Sequence, residues 1–411
     1  MSSSYTTRAG DTFEAIARRQ YGDERFALNI AQANPGASEP LFAGTTLTIP
    51  SLPSLPRDKN LQAFGSNENE VAVLIGGQRF RFWSDVRLTR SVDAMDTLGF
   101  SAPFEADAPG FRETFEPFSY KPLVVTVGGD PLFTGTLVGI TPEVGDKQRT
   151  INVSGYSLPG VLNDCTPPAS SYPVEFNSVN LQSIAEQLCR PFGISVEFTD
   201  NLGPVFERVA VGPGNTVLSF LSDLARQRAL VVSSTPEGAL LFQQSVESGS
   251  PVAVLREDSS PVLSVSPSFS PQQYFSHVTG LEPVLLGTEG SQYTVKNPHL
   301  VGVTRPVTFK AKDTQGGDVK TSVEAKLGRM FGNMVAYSVS VNTWRDAQGA
   351  LWAPNTTVKL LAPGAMVYES YEFIIRSIRF RRSDNKEKAV LDLVLPGSFS
   401  GKVPEVLPWA G

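Results

Sequence analysis

Glycine and proline interrupt this sequence so often that long helices are excluded from most of it. There are 35 glycines and 31 prolines in 411 residues, and they separate short apolar runs. Glycine supplies the positive φ angles of tight turns, and proline cannot donate to a helix or a sheet ladder. Such punctuation is typical of short strands joined by turns. We therefore predict a mainly β chain of the α+β class, with a smaller helical part.

The chain is too long for a single hydrophobic core, and its length predicts roughly two to four domains. A proline-spaced segment at residues 51–59 cannot join a ladder and predicts a linker after a small N-terminal domain, residues 1–50. Beyond it the pattern predicts a first β region at residues 60–156, which forms a barrel or a curled sheet, then a small α/β module at 157–262 and a second β region at 263–411.

Strand signals dominate both β regions. Alternating or β-branched runs predict strands at Val71–Ile75, Gln78–Trp83, Leu123–Val127, Leu132–Ile140, Thr150–Gly155, Val335–Val341, Tyr371–Arg382 and Lys388–Leu395. The pairs Gly76-Gly77 and Gly128-Gly129 predict hairpin turns. Residues 101–120 have no clear period and predict a surface loop, and the Ser- and Pro-rich residues 259–271 predict a bridge.

Helical periods occur at three places. Two amphipathic helices are predicted in the α/β module, with a hairpin after them, and a third within the second β region. Their apolar positions are Leu181, Ile184, Ala185 and Leu188, then Leu218, Leu221, Leu224 and Ala225, and finally Val323, Leu327, Met330 and Met334. The hairpin pairs residues 230–233 with residues 240–243.

Residues 4–50 predict a compact strand, helix, helix and strand. Asp11 lies at the start of the first helical period with Glu14 three residues on, which is the spacing of a capping box. Phe26 and Ile30 mark the second helix, and Leu47 and Ile49 alternate with threonines in the closing strand.

The N-terminal residues resemble a LysM domain in their order: Tyr5-Thr6-Thr7-Arg8-Ala9-Gly10-Asp11-Thr12, Ile16-Ala17, Asn34-Pro35 and Gly44-Thr45-Thr46-Leu47-Thr48-Ile49-Pro50. In wall-binding relatives the loops at Gly10, Asp11, Thr12, Asn34 and Pro35 contact glycans, so the resemblance implies contact residues there. The longer middle of this domain resembles the LysM-like modules of phage tail proteins. Docking on neighbouring tail proteins is therefore the favoured interpretation, and sugar binding is the alternative.

The charge of the chain argues against nucleic-acid binding. The formal net charge is −6 and the pI is about 5.2, so no overall positive field attracts phosphates. The most basic run contains Arg376, Arg379, Arg381 and Arg382 and alternates with apolar residues. This alternation is typical of the solvated face of a strand.

No chemical motif predicts catalysis, a cofactor or a metal. The two histidines, His277 and His299, have neither paired cysteines nor the H-E-x-x-H spacing of a zinc site. A glycosidase pair needs two carboxylates, and Glu105, Glu113 and Glu116 in the Phe-rich loop are the first suspects. We favour a solvated acidic loop whose phenylalanines, Phe111, Phe115 and Phe118, pack on a neighbour. We therefore expect a protein that is not an enzyme.

Two cysteines, Cys165 and Cys189, do not make a disulfide framework, so we expect a reducing compartment. The start of the sequence lacks a basic region followed by an apolar core, and no run of 18 apolar residues occurs. Neither secretion nor a membrane anchor is expected.

Beyond the linker, the order of landmarks resembles the baseplate hub proteins of Mu-type contractile phages. The residues that carry this resemblance are Val153-Ser154-Gly155-Tyr156, Leu162-Asn163-Asp164, Ile184-Ala185-Glu186-Gln187-Leu188, Pro191-Phe192-Gly193-Ile194, Phe220-Leu221-Ser222-Asp223-Leu224-Ala225, Trp344-Arg345, Gly349-Ala350-Leu351-Trp352-Ala353-Pro354-Asn355 and Leu395-Pro396-Gly397-Ser398-Phe399. The matches are short, so their specificity lies in order and spacing.

This resemblance implies two tube-like β-barrel domains in each subunit of a homotrimer, which joins the six-fold tail tube to the three-fold central spike. It implies contacts with the tail tube, spike and tape-measure proteins, and with neighbouring baseplate or sheath proteins through the LysM-like domain. DNA meets the chain in transit through the lumen, and an acidic lumen would repel it. The expected location is the virion tail baseplate, after assembly in the bacterial cytoplasm. Two alternatives remain: a peptidoglycan-binding tail adaptor and a tail-associated lytic enzyme.

Overall fold

The computed structural model describes residues 3–8, 10–21, 27–38, 40–49, 69–104, 109–145, 149–199, 203–282, 290–311, 319–383, 386–399 and 404–410. The chain forms two compact units, residues 1–70 and residues 71–411. The segment predicted as a linker, residues 51–59, lies outside the described residues.

The N-terminal unit contains two strands and two helices in the order that the sequence predicts. They are β1 (Ser3–Thr6), α1 (Phe13–Tyr21), α2 (Ala27–Ala33) and β2 (Thr46–Ile49). β1 and β2 pair antiparallel, with Tyr5 opposite Leu47. A small core lies between these elements and contains Phe13, Ile16, Ala17, Ile30, Leu41, Leu47 and Ile49.

The cap of α1 differs from the prediction by one residue. The helix begins at Phe13, and the Ala15 N–H donates to Thr12 Oγ1 at 3.1 Å. Thr12, and not Asp11, is therefore the N-cap, and Glu14 is not at the capping-box position. Aspartate and threonine both cap helices well, so the local pattern does not decide between two adjacent candidates.

In the second unit the chain first forms seven strands and one short helix. They are β3 (Val71–Ile75), β4 (Gln78–Phe80), β5 (Asp85–Ser91), β6 (Thr97–Pro103), α3 (Pro109–Thr114), β7 (Pro122–Val127), β8 (Asp130–Val144) and β9 (Arg149–Ser157). Gly76, Gly77, Gly128 and Gly129 have positive φ angles at the β3–β4 and β7–β8 turns, as predicted.

An α/β module follows. Its elements are α4 (Val161–Asp164), β10 (Glu175–Val179), α5 (Leu181–Cys189), β11 (Val196–Phe198), β12 (Phe206–Ala210), α6 (Val217–Arg226), β13 (Leu230–Ser234) and β14 (Leu240–Gln244). Asn180 and Thr216 cap α5 and α6 with their side chains, and the predicted apolar faces of both helices line a core separate from that of the large sheet.

The remaining elements return to the β pattern. They are β15 (Val254–Arg256), β16 (Val262–Phe269), β17 (His277–Leu281), β18 (Gln292–Lys296), β19 (Pro306–Lys310), α7 (Val319–Met334), β20 (Val335–Val341), β21 (Thr357–Ala362), β22 (Val367–Ser383) and β23 (Lys386–Val394). The apolar residues predicted to share a face of α7 are buried. β17, β18 and β19 form a small sheet, which α7 contacts.

The same six-strand arrangement occurs twice in the large sheet. Neighbouring strands run β5-β6-β9-β8-β7-β3 in the first repeat and β16-β20-β23-β22-β21-β15 in the second. The corresponding strands also follow one another in the same chain order. All neighbouring pairs are antiparallel except β15 and β21, which are parallel.

Local backbone detail is repeated as well. The ladder of β8 slips between Leu137 and Gly139, and that of β22 slips between Ile375 and Ser377. These bulges divide the two longest strands. We call residues 139–144 and residues 377–383 their distal halves.

One strand pairing joins the two repeats. β5 pairs antiparallel with the distal half of β22, from Ser91 opposite Ser377 to Asp85 opposite Ser383, and we call this pairing the seam. The two regions that the sequence predicts as tube-like barrels thus belong to one 13-stranded sheet and contribute to one hydrophobic core. Arg345 adds a second link, since its Nη1 lies 2.8 Å from Asp130 Oδ2.

Candidate assembly surfaces

The five residues predicted from the LysM resemblance differ in accessibility. Gly10, Thr12 and Pro35 are exposed, Asp11 is buried and Asn34 is half-buried. Gly10 has a φ of +83°, which favours glycine at the turn before α1. Three of the five positions are therefore accessible to a partner.

The carboxylate of Asp11 is held by its own unit. Its Oδ2 accepts hydrogen bonds from the Arg8 backbone N–H and the Tyr5 hydroxyl, both at 2.8 Å, and its Oδ1 lies 3.4 Å from Arg19 Nη1. The bonds from Arg8 and then Tyr5 lower the pKa of Asp11, and the bond to Asp11 raises the pKa of Tyr5. Asp11 therefore fastens β1 to the start of α1.

Asn34 has a similar internal role at the other predicted loop. Its Nδ2 donates to Ile30 O and Thr48 O, each at 2.8 Å, and its Oδ1 accepts from the Thr48 N–H at 2.7 Å. The side-chain amide thus bonds to β2 much as a neighbouring strand does, and it ties α2 to that strand. The Asn-Pro pair of the motif has a structural explanation that needs no ligand.

Two of the three carboxylates suspected of a glycosidase pair lie on the surface of the described part of the Phe-rich loop. Glu113 and Glu116 are exposed, and Glu105 lies outside the described residues. A cavity of about 60 Å³ in the α/β module is lined by residues such as Pro167, Glu175 and Pro191, and it includes neither Glu113 nor Glu116. Pockets that bind small molecules usually measure about 300–1,000 Å³, so this cavity is too small for a sugar chain.

The phenylalanines of this region pack mainly within the chain, which corrects the predicted loop. Residues 101–103 belong to β6, and α3 occupies residues 109–114. Phe115 is buried, with its ring 5.3 Å from that of Phe80 and 5.9 Å from that of Phe111. Phe118 is 85% exposed, so of the three predicted neighbour contacts it is the most accessible.

The histidines and cysteines have ordinary surroundings. His277 Nδ1 lies 3.0 Å from Ser276 Oγ, and His299 Nε2 lies 2.6 Å from Pro404 O. Cys165 and Cys189 are both unpaired thiols, and burial raises the pKa of Cys189 to about 12. Within the described ranges, no cluster of three or more His, Cys, Asp or Glu side chains is arranged to hold a metal ion. No helix in those ranges is long and apolar enough to cross a membrane.

The basic run of β22 is neutralised by carboxylates. Its four arginines each lie within 3.0 Å of an acidic oxygen, in the pairs Arg376–Asp93, Arg379–Asp392, Arg381–Asp85 and Arg382–Glu387. Two of these pairs join the two repeats, because Asp85 is the first residue of β5 and Asp93 follows its end closely. The run therefore supports the seam and is not a free phosphate-binding strip.

Among the described residues, the edges of the large sheet that lack a second partner strand include β16 and the distal half of β8. β16 pairs with β20 on one side, and the distal half of β8 pairs with β9 on one side. Their apolar side chains are accessible: Val144 is 73% exposed, Leu263 57% and Phe269 42%. Unpaired backbone groups beside exposed apolar residues are templates for further strand pairing. We call these two strands the open edges.

Sequence patterns missed both open edges. The predicted strand for β8 ended at Ile140, and residues 259–271 were predicted to be a bridge, whereas residues 262–269 form β16. The available signal was Pro267 within the apolar alternation of Leu263, Val265 and Phe269. A proline inside a strand pattern favours an edge strand, and the same holds for Pro142 in β8.

Comparisons with known proteins agree with this architecture. A family model described as "Baseplate hub protein gp44-like, second domain" matches residues 159–244, which span most of the α/β module. The "Baseplate hub protein gp44" of Escherichia phage Mu is 23% identical over 320 residues, which cover 71% of this chain and 79% of that protein.

Solved structures of similar fold include tail proteins. The 43 kDa tail protein of prophage MuSo2 from Shewanella oneidensis has 26% identity and a TM-score of 0.70, and the match covers 80% of this chain and 99% of that one. A tail protein from Neisseria meningitidis MC58 has 20% identity and a TM-score of 0.68, covering 83% and 98%. The predicted resemblance to the baseplate hub proteins of Mu-type phages is thereby confirmed, and residues 159–244 match the model of the second domain of gp44-like hub proteins.

Proposed function

We propose that this chain is a structural subunit of the baseplate hub of a contractile phage tail, and that three copies form a ring between the six-fold tail tube and the three-fold central spike. The match to the gp44-like hub family supports the structural role. The ring assembles in the host cytoplasm, becomes part of the virion, and lets DNA pass during ejection. No bond of a substrate is made or broken in this role.

The seam is the observation that carries this proposal. Within one chain, β5 of the first repeat pairs with the distal half of β22 of the second repeat. The strands that correspond to β5 and β22 in the other repeats are β16 and β8, and these contain the open edges. A second copy that offers its β8 to β16 repeats the seam between molecules. Head-to-tail contacts of this kind close into rings when the rotation permits.

Such a ring explains how one component meets partners of different symmetry. Each copy contributes two repeats of the same topology, so three copies present six similar surfaces to the tail tube and three identical subunits to the spike. The tape-measure protein and DNA occupy the lumen in turn. The net charge of −6 favours a lumen that repels DNA phosphates, and a strongly basic lumen would contradict this part of the proposal.

A matched pair of variants tests the ring. Val144 lies on an open edge and Val301 lies in a loop, and both are highly exposed, at 73% and 80%. We expect Val144→Lys to weaken formation of the trimer at least tenfold and Val301→Lys to leave it unchanged, as measured by light scattering across a dilution series. Equal behaviour of the two variants, or a chain that remains monomeric with a spike protein present, would contradict the proposed ring.

For the N-terminal unit we propose docking on a neighbouring baseplate or sheath protein through exposed positions such as Gly10, Thr12 and Pro35. The internal bonds of Asp11 and Asn34 support this over a sugar groove, because both side chains are already engaged. Calorimetry with chitin oligomers should give no binding heat at millimolar concentration. Measurable binding would favour the peptidoglycan adaptor instead.

A further inference from the structure

Each open edge contains one proline whose backbone points away from its own sheet. In β16 the Ser270 N–H donates to Met334 O at 2.7 Å, and this bond shows which pairs of β16 and β20 are hydrogen-bonded. Antiparallel residues alternate between bonded and non-bonded pairs. Ser266 and Ser268 therefore bond to β20, and the backbone of Pro267 faces the open side.

The same reasoning places Pro142 on the open side of β8. The Ser157 N–H donates to Asp96 O at 2.9 Å and the Phe104 N–H donates to Arg149 O at 3.1 Å, so odd-numbered residues of β9 bond to β6. Even-numbered residues of β9 bond to odd-numbered residues of β8 beyond its bulge, and the even-numbered Pro142 is left facing outward.

The internal repeat assigns Pro142 a counterpart in the seam. The bulge residues of the two long strands are Val138 and Arg376, and the fourth residues after them are Pro142 and Phe380. Phe380 is buried in the seam, directly opposite Leu88.

In the second repeat, Pro267 corresponds to Leu88. Starting from either residue, the paired residues can be followed from strand to strand across the sheet, and each series ends at the residue just before a bulge. The rungs are Leu88, Leu98, Gly155 and Leu137 in the first repeat, and Pro267, Tyr337, Leu393 and Ile375 in the second. A junction between copies that repeats the seam thus places Pro142 opposite Pro267, as Phe380 is opposite Leu88.

In the seam, the pair of Phe380 and Leu88 is a hydrogen-bonded pair. The Val92 N–H donates to Arg376 O at 2.9 Å, and counting from that pair every second pair along the seam is bonded, including Phe380 with Leu88. Proline has no N–H, and its ring carbon occupies the place of the hydrogen. With proline on both sides, the centre of the junction loses two hydrogen bonds, and the ring carbons hold the strands apart.

We propose that Pro142 and Pro267 are paired guard residues, which face each other across the junction between two copies of this chain and keep that junction weak. The inference rests on the proposed ring and adds how its contacts are regulated. An apolar edge that pairs without restraint forms open-ended assemblies. The guard prolines leave the outer rungs of the junction intact and make ring formation depend on further contacts, such as those with other tail proteins.

Restoring the missing donors tests the proposal. Pro142→Thr, Pro267→Thr and the double variant are compared with wild type by sedimentation velocity over a dilution series. The control is Ser266→Thr, whose N–H already bonds to β20. Because one remaining proline still blocks the rung, we expect each single variant to lower the concentration of half-association about threefold and the double variant about thirtyfold. This exceeds the roughly ninefold change expected of independent effects. The control should match wild type.

A variant that is expected to weaken association, and not to strengthen it, keeps the proposal testable if the double variant fails to fold. Val144→Pro adds a second outward-facing proline to the same edge, and we expect it to weaken association at least tenfold. Unchanged association in all variants, whether or not the wild type associates, overturns the guard role. Multiplicative effects of the two single variants overturn the placement of the prolines opposite each other. If the proposed ring is wrong but association occurs elsewhere, Val144→Lys and Val301→Lys behave alike, which separates the two failures.

Discussion

The two six-strand repeats share their strand order and their bulges, yet the same half-strand is interior in one and open in the other. In β22 the distal half is covered by β5, and Ile378 and Phe380 are buried. In β8 the residues from Thr141 to Val144 are exposed. The difference follows the side chains, because Phe380 stands where the first repeat has Pro142. Topology therefore supplies two equivalent edges, and local sequence decides which one is filled within the chain.

The test with the largest expected effect on stability removes an aromatic ring from the seam. Phe380 is 1% exposed, and its ring lies 5.3 Å from that of Trp344. We expect Phe380→Ala to lower the free energy of unfolding by about 3–5 kcal/mol. The counterpart Pro142→Ala should change it by less than about 1 kcal/mol at dilutions where the chain is monomeric. Urea unfolding of both variants measures the difference, and equal losses would show that the seam does not stabilise the sheet.

The second test exchanges two residues that have a left-handed backbone conformation, one shortly before β7 and one shortly before β21. Asn355 has a φ of 64° and Tyr120 a φ of 47° at corresponding positions. Asn355 accepts from the Val246 N–H at 2.8 Å and donates to Gln243 Oε1 at 3.0 Å and to Gln244 O at 2.9 Å. These bonds hold the exit of the α/β module.

We expect Asn355→Tyr to cost about 2–3 kcal/mol, because three hydrogen bonds to residues 243–246 are lost together. Tyr120→Asn should be within about 1 kcal/mol of wild type, because asparagine tolerates this conformation and Tyr120 is mostly exposed. Thermal and urea unfolding of the two variants give the comparison. Similar losses in both would mean that the backbone angle, and not the bonds to the module, dominates at these positions.

The smallest expected effect concerns Asp96, in the short β5–β6 loop that the second repeat replaces with the β17–β19 sheet and α7. Asp96 is 1% exposed, its Oδ2 accepts from Arg90 Nε at 3.1 Å, and its N–H donates to Ser234 Oγ of the α/β module at 3.2 Å. Burial, which outweighs Arg90 and the hydrogen bonds, raises the pKa of Asp96 to about 6.

Because the folded pKa lies above the unfolded value, the contribution of Asp96 to stability is fully present below about pH 4 and is lost as pH rises through about 6. Between pH 7 and pH 5 the wild type should therefore gain about 1 kcal/mol relative to Asp96→Asn. Urea unfolding at both pH values measures this gain. A difference between the two proteins that does not change with pH would contradict the raised pKa.

Local patterns predicted the elements whose signals are local. The glycine-pair hairpins, the apolar faces of α5, α6 and α7, and the strands β22 and β23 were predicted from spacing. β5 was not predicted, although Arg87 and Thr89 alternate with apolar residues; one of its two partners, β22, lies almost the whole chain away. The seam explains why the apolar residues Val86 and Leu88 occur in this strand.

The candidate surfaces were harder to predict. The motif predicts contact loops at Asp11 and Asn34; the side chains of both bond within the fold, and contact of these loops with a partner stays a prediction. β16 was missed because Pro267 and its serines favour a bridge. A single strand gives no information on which neighbour completes it, so an edge is recognised only when the whole sheet is known. The relation to hub proteins, by contrast, depended on the order of many landmarks and was predictable.

The seam also has a consequence for the newborn chain on the ribosome. Its hydrogen bonds join residues far apart in sequence, for example Ser91 with Arg376, 285 residues away, and Asp85 with Arg381, 296 residues away. At translation rates of about 5–20 residues per second, β5 waits roughly 15–60 s for its partner. The α/β module is made during that interval and has its own core, so it can fold first. The sheet closes only after β22 has been synthesised.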